Sequence, residues 1–276
     1  MSEPYDPSVP PVPPPPAYAP PPPPGTPPGA PGVRISEWLN HAWALIQPYW
    51  LEYVLAVLVA HLVILGAALL CLVPVLLVTG PMMGGILVYL AKRILGLPAQ
   101  ISDIFKGFRR FADTTILGIA LLLPPLLFAG LIFVPMILTA VGAGNEGPVG
   151  EAMAHATSCL GCLTMPLALL FGVVYPILTG TFLVFALPLV MFRGMGAMDA
   201  IRRSIEIVRP QAANFLIFAL ANLVLLMAAN FVGSALFCVG ALILSPLAAS
   251  LVGTMHLLAY REYVGLAPED LAPYAD

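Results

Sequence analysis

The sequence predicts an all-α, polytopic membrane bundle of about six transmembrane helices, arranged as three hairpins with cytoplasmic interfacial amphipathic helices. Three observations predict it. Only 9% of the 276 residues are charged while 60% are hydrophobic, and the mean hydropathy is +0.96. A soluble domain carries about 25% charged residues, so this surface in water would be one large apolar patch. All eleven Lys and Arg residues fall in four short windows: Arg34; Lys92 to Arg110 (with Arg93, Lys106 and Arg109); Arg193 to Arg209 (with Arg202 and Arg203); and Arg261. The stretches between windows are each long enough for two crossings of about 20 residues.

Residues 1–34 stand apart. Sixteen of the first 31 are proline, in runs such as Pro13–Pro16 and Pro20–Pro24. Proline fixes φ and removes the amide donor, which predicts a disordered, proline-rich cytoplasmic tail of polyproline II character. No basic segment followed by an apolar core marks it as a signal peptide, so the first span is expected to direct insertion.

Residues 35–264 form the expected six-helix domain. In the first stretch the apolar part, Leu51 to Ala91, spans 41 residues, too long for one helix and right for two. The middle stretch divides into Ile116–Val141, a polar excursion over Gly142–Ala156, and Leu163–Val190. The third gives Phe215–Cys238 and Leu242–Tyr260. Pro124, Pro125, Pro135, Pro166, Pro176 and Pro188 punctuate these spans, as membrane helices tolerate when neighbours satisfy the freed carbonyls. If each stretch is a hairpin, every basic residue falls on one face and only Glu146 and Glu151 on the other. That is the positive-inside pattern, and it predicts a plasma (inner) membrane protein with both termini cytoplasmic. Residues 265–276 close the chain as a short acidic cytoplasmic tail.

Before each hairpin lies a short segment of mixed character. Ile101, Ile104, Phe105 and Phe108 recur at helical spacing beside Lys106, Arg109 and Arg110. Met198, Ile201, Ile205 and Val208 form a stripe opposite Arg202, Arg203, Glu206 and Arg209, with Asp199 spaced to pair Arg202 and Arg203. In the first segment Ser36 is the expected N-cap, with Trp38, Leu39, Ala42 and Ile46 on one side. Such helices lie in the interface, with the apolar side among acyl chains and cations toward anionic headgroups. The four-residue spacing of Gly80 and Gly84, and of Ala249 and Gly253, predicts close helix packing.

The stretches Ser36–Trp50, Thr79-Gly80-Pro81 with Gly84 and Gly85, Leu187-Pro188-Leu189-Val190, Ala200-Ile201-Arg202-Arg203-Ser204 and Ala259-Tyr260-Arg261-Glu262-Tyr263 carry a resemblance. Over about residues 35 to 266 the chain resembles bacterial six-helix membrane proteins that include the membrane domain attached to some glycerophosphodiester phosphodiesterases. The resemblance implies the fold and no activity. The His-Arg-Gly opening and acidic metal ligands of the soluble phosphodiesterase domain do not occur here.

Candidate chemistry is sparse. His61 and His256 lie within spans, where an ionisable side chain is a candidate for a proton or substrate pathway by default, or, as a neutral histidine, simply a hydrogen-bonding group packed against a neighbouring helix. Asn222 and Asn230, on the fifth span, read as polar glue between helices. His155, Cys159 and Cys162 form a weak redox or metal candidate, since one Cys pair and one His leave a structural zinc site unclosed. Glu52 reads as a solvated carboxylate at the cytoplasmic edge. No phosphate loop, serine elbow or His-Glu-x-x-His motif is present.

The expectation is therefore a non-enzymatic protein, without catalytic residues, cofactor or metal, that organises or anchors partners at the cytoplasmic face. Its expected partners are membrane lipid and a cytosolic protein docking on the proline-rich tail, with no nucleic acid. The alternative is a transporter or channel for a small solute or lipid.

Overall fold

The computed structural model describes residues 32–70, 72–142, 167, 170–236 and 239–275. The described residues are all-helical. The α-helices are α1 (Ile35–Ile46), α2 (Trp50–Leu70), α3 (Leu72–Ile94), α4 (Phe111–Gly142), α5 (Tyr175–Phe182), α6 (Ala186–Arg193), α7 (Ala197–Val208), α8 (Ala212–Ala235) and α9 (Val239–Tyr263). Two longer 3-10 segments join them, Ile101–Arg110 between α3 and α4 and Pro268–Tyr274 after α9.

Six helical stretches are long and apolar enough to cross a membrane: Ile35–Leu70, Val73–Ile94, Ile101–Phe128, Leu170–Arg193, Ala197–Ala235 and Leu242–Tyr263. The chain thus has the make-up of a multi-pass membrane protein. α9 packs against α1, α2, α3 and α8, while α3 also packs against α2, α4 and the Ile101–Arg110 segment. Large apolar side chains such as Leu62, Leu65, Leu69, Val224 and Phe231 face outward, which lipid tolerates and water does not.

Close approach at the core depends on glycine. A Cβ on Gly85 would collide with the Ile104 carbonyl, and one on Gly107 with the Pro81 carbonyl and the Gly85 amide nitrogen. α3 and the Ile101–Arg110 segment therefore touch backbone to backbone, the arrangement small residues permit.

The fourth membrane-length stretch is broken, and the break is sealed from outside. A π-helical turn, Leu170–Val174, precedes Pro176, and the helix is interrupted between Phe182 and Ala186. Pro188 removes one helical donor and bars an unbroken ladder. Ser204 on α7, fully buried, donates to the Phe182 carbonyl at 2.7 Å and accepts from the Phe185 N–H at 3.2 Å. The serine of the Ala200–Ser204 motif is thus a seal for backbone groups that lipid would leave unpaired.

The three short segments each carry two apolar edges rather than one. α1 buries Trp38, Ala42 and Ile46 and exposes Leu39 and Trp43. The Ile101–Arg110 segment buries Ile104 and Gly107 and exposes Ile101, Phe105 and Phe108. α7 buries Ala197, Ala200, Ser204 and Val208 and exposes Met198 and Ile205. The single stripe expected in each is split, because the bundle takes one side.

Local expectations shift likewise. Ser36 lies inside α1, whose N-cap is Arg34 with no side-chain cap bond. Asp199 forms no pair with Arg202 or Arg203, since Arg203 reaches forward to Glu206 at 3.0 Å.

Candidate functional site

The basic windows converge. Arg34 pairs with Glu37 at 2.9 Å and with Glu262 at 3.0 Å, joining the chain's first and last windows. Lys92, at the end of α3, and Lys106 each place Nζ 2.8 Å from Asp103 Oδ1. Asp103 Oδ2 accepts the Gln100 N–H at 2.8 Å, so one carboxylate holds two ammonium groups and a turn of backbone. Asp103 and Lys92 are almost fully enclosed, at 3% and 7% side-chain exposure, and a pair this buried holds only when its hydrogen bonds are complete.

The C-terminal segment closes this cluster. Lys106 Nζ donates to the Tyr274 carbonyl at 2.8 Å and Arg109 to the Pro273 carbonyl. Tyr274 is 1% exposed and donates its hydroxyl to the Met191 carbonyl at 2.8 Å. Burial pushes the Tyr274 phenol up from its ordinary value, with the nearby Arg110 and Arg109 pulling the other way. Arg193 binds Asp270 at 3.1 Å and the Val264 and Gly265 carbonyls at 3.3 and 3.2 Å. The residues read as a short acidic tail are thus folded against the bundle, and Asp270 is one reason they carry acid.

Two further contacts complete this end. Arg93 pairs with Glu52, and its guanidinium lies 5.3, 5.8 and 5.5 Å from the ring centres of Tyr49, Tyr53 and Tyr89. Glu52, expected as a solvated carboxylate, is half exposed and also serves Arg93 as counter-ion. Asp113 accepts the Ala197 N–H at 3.1 Å, supplying an acid to the start of α7.

The intramembrane candidates separate into two groups. Asn222 on α8 and His256 on α9 meet, Nδ2 to Nε2, at 3.0 Å. The Phe218 ring stands edge-on to the imidazole at 5.3 Å. Asn222 is 5% exposed, and its Oδ1 is buried with no hydrogen-bond partner. Asn222 also lines an apolar groove of about 560 Å³ between α1 and α8, walled by Ile35, Leu39, Leu220, Ala221 and Leu225. His61 and Asn230 do not join them. The His61 Nδ1 bonds the Val57 carbonyl at 2.8 Å and Asn230 Nδ2 the Leu226 carbonyl at 2.8 Å, each on its own helix and facing outward. The expected interhelical role of Asn230 is corrected: among the described residues its side chain is exposed and bonds one turn back on its own helix.

His155, Cys159 and Cys162 lie outside the described residues, so the redox or metal expectation has no geometry. Among the described residues no group of three or more His, Cys, Asp or Glu side chains is placed to hold a metal ion.

A family of unknown function (DUF7544) matches over residues 102–269. The chain belongs to that family. The matched region takes in Asp103 and Lys106, the Asn222–His256 pair and Glu262, one of the two acids that bind Arg34. No curated protein and no solved structure matches the chain, so membership brings no activity with it.

Sequence reasoning missed Asp103, Lys92, Ser204, Tyr274 and the aromatic setting of Arg93. A signal existed for the last. Tyr49 and Tyr53, and Tyr89 and Arg93, are four residues apart and so share a helix face.

Proposed function

We propose that this chain is a non-enzymatic, multi-pass protein of the plasma (inner) membrane that anchors or organises partners at its cytoplasmic face. The observation that carries the reading is the union of all four basic windows in one bonded end. Arg34 with Glu262, Lys106 with Tyr274 and Arg193 with Asp270 tie together residues 228, 168 and 77 positions apart. An even number of crossings between windows is what allows this, which favours three hairpins and both termini on the cytoplasmic side. The outward residues Leu39, Trp43, Phe105, Phe108, Met198 and Ile205 suit segments lying in the interface, their second apolar edge in the acyl boundary.

A rigid face of this kind is a platform. Among the described residues of the spans, by contrast, interhelical polar contacts are few and include Thr115 to the Leu77 carbonyl, Ser250 to the Tyr53 carbonyl, Tyr175 to the Ala120 carbonyl, Ser204 to the Phe182 carbonyl and the Asn222–His256 pair. Among the described residues every Asp and Glu belongs to the charged end or its adjoining segments, where the proline-rich tail (1–34) also joins. Such a tail suits a cytosolic protein with a groove for extended proline segments. The test is a pull-down from solubilised membranes with the full chain and with residues 1–31 deleted. The proposal expects cytosolic proteins recovered with the full chain and lost with the deletion; equal recovery from both would contradict it.

A second reading, transport of a small solute or lipid, draws on the Asn222–His256 pair beside the apolar groove. His256→Ala and His61→Ala address it by flux in reconstituted vesicles. Transport predicts loss with the former only, because His61 faces outward on its own helix.

A further inference from the structure

The cations of the charged end are not equally engaged. Arg34, Lys92, Arg93, Lys106, Arg193 and Arg203 each bind a carboxylate. Arg109 holds the Pro273 carbonyl, Arg110 bonds Tyr274, and Arg261 is also in contact with a partner. Among the described residues, Arg202 and Arg209 alone have no acid or carbonyl within bonding distance, and both are exposed.

These two share a stripe. Met198, Arg202, Ile205 and Arg209 stand at i, i+4, i+7 and i+11 of α7 and its helical C-cap, within a wedge about 60° wide. All four are exposed, Met198 to 59%, while Ala200, Ser204 and Val208 on the far side are buried in the bundle. Apolar side chain and cation alternate along one edge. Glu206, one stripe round, is taken by Arg203.

We propose that this edge of α7 binds the headgroup region of an anionic phospholipid. Arg202 and Arg209 hold the phosphate and any second anionic group, and Met198 and Ile205 rest against the glycerol and first acyl carbons. The inference deepens the interfacial placement of α7 proposed above and rests on it. An occupant must be anionic and apolar at the same height, which is the chemistry of the headgroup boundary. An acidic peptide would satisfy the arginines and leave Met198 and Ile205 against water. α7 also passes through a single 3-10 turn, Arg209–Gln211, into the membrane-length α8, so lipid is within reach.

The test is native mass spectrometry of the full chain in neutral detergent, titrated with phosphatidylglycerol or phosphatidylcholine. The Arg202→Gln/Arg209→Gln double variant should bind phosphatidylglycerol about thirtyfold more weakly, with phosphatidylcholine binding and melting temperature unchanged. Arg203→Gln, whose cation is already paired, should change binding less than about threefold. Retention of phosphatidylglycerol binding to within about twofold in the double variant would overturn the proposal. So would an equal loss in Arg203→Gln, the mark of a diffuse field, or displacement of the lipid by a polyglutamate peptide. Lipid binding in detergent is blind to cytosolic partners. A protein that selects phosphatidylglycerol but recovers no partner therefore keeps this inference and loses the anchoring function alone.

Discussion

Asp103 holds together two lysines from different segments, and at 3% side-chain exposure it does so away from water. Removing its charge while keeping its shape leaves Lys92 and Lys106 facing each other with no anion. Asp103→Asn is expected to lose about 3 kcal/mol or more, the range for breaking one side of a buried pair, read as a drop in melting temperature in detergent. A change within error would mean that the cluster is solvated. Tyr274 makes a different point. Its phenol is raised by burial, so the folded state keeps the proton at a pH where the unfolded chain releases it. Stability from this group is fully present below the ordinary tyrosine value near 10 and declines as pH rises above it. Carboxypeptidase release of the last residues should therefore accelerate above about pH 10 in the native chain. Tyr274→Phe, which has no proton to lose and no bond to the Met191 carbonyl, should show faster release at neutral pH and a flatter alkaline rise.

At the scale of elements, the packing of α3 against the Ile101–Arg110 segment separates tertiary contact from helix propensity. Alanine for glycine normally favours a helix by about 1 kcal/mol. Gly66 on α2 has open space where a Cβ would go, so Gly66→Ala should hold or raise the melting temperature. Gly107→Ala should lower it by the equivalent of about 2 kcal/mol, because the new methyl meets the Pro81 and Gly85 backbone, which has no rotamer to give. Equal effects at the two positions would show that the close approach is not what holds these elements together. The same elements show why sequence reading was partial. Apolar periodicity marks Ile101, Ile104, Phe105 and Phe108 as non-polar positions, but Ile104 goes to the core and Phe105 outward. A period carries an angle and not a partner. Ser204 sits in a quoted motif, yet its role depends on a helix break 19 and 22 residues away.

At the scale of the molecule, span number was legible because it depends on length and hydropathy alone, and six membrane-length helical stretches are present among the described residues. The gathering of cations into windows was legible for the same reason. Their counter-ions were not. Asp103 serves Lys92 from 11 residues away, and the Tyr274 carbonyl serves Lys106 from 168, distances at which only the assembled bundle selects a partner. Asn222 and His256 were legible as polar residues in apolar helices, but that His61 and Asn230 would turn back to their own carbonyls depends on which face each helix packs.

The central claim is that lipid solvates the helices and that the charged end faces one compartment. It is tested by cysteine accessibility in right-side-out and inverted membrane vesicles, using Ser102→Cys, Glu206→Cys and Glu269→Cys, all at exposed positions. The account predicts that a membrane-impermeant maleimide labels all three in inverted vesicles and none in right-side-out ones. Labelling of any one from the side opposite to the other two would contradict it.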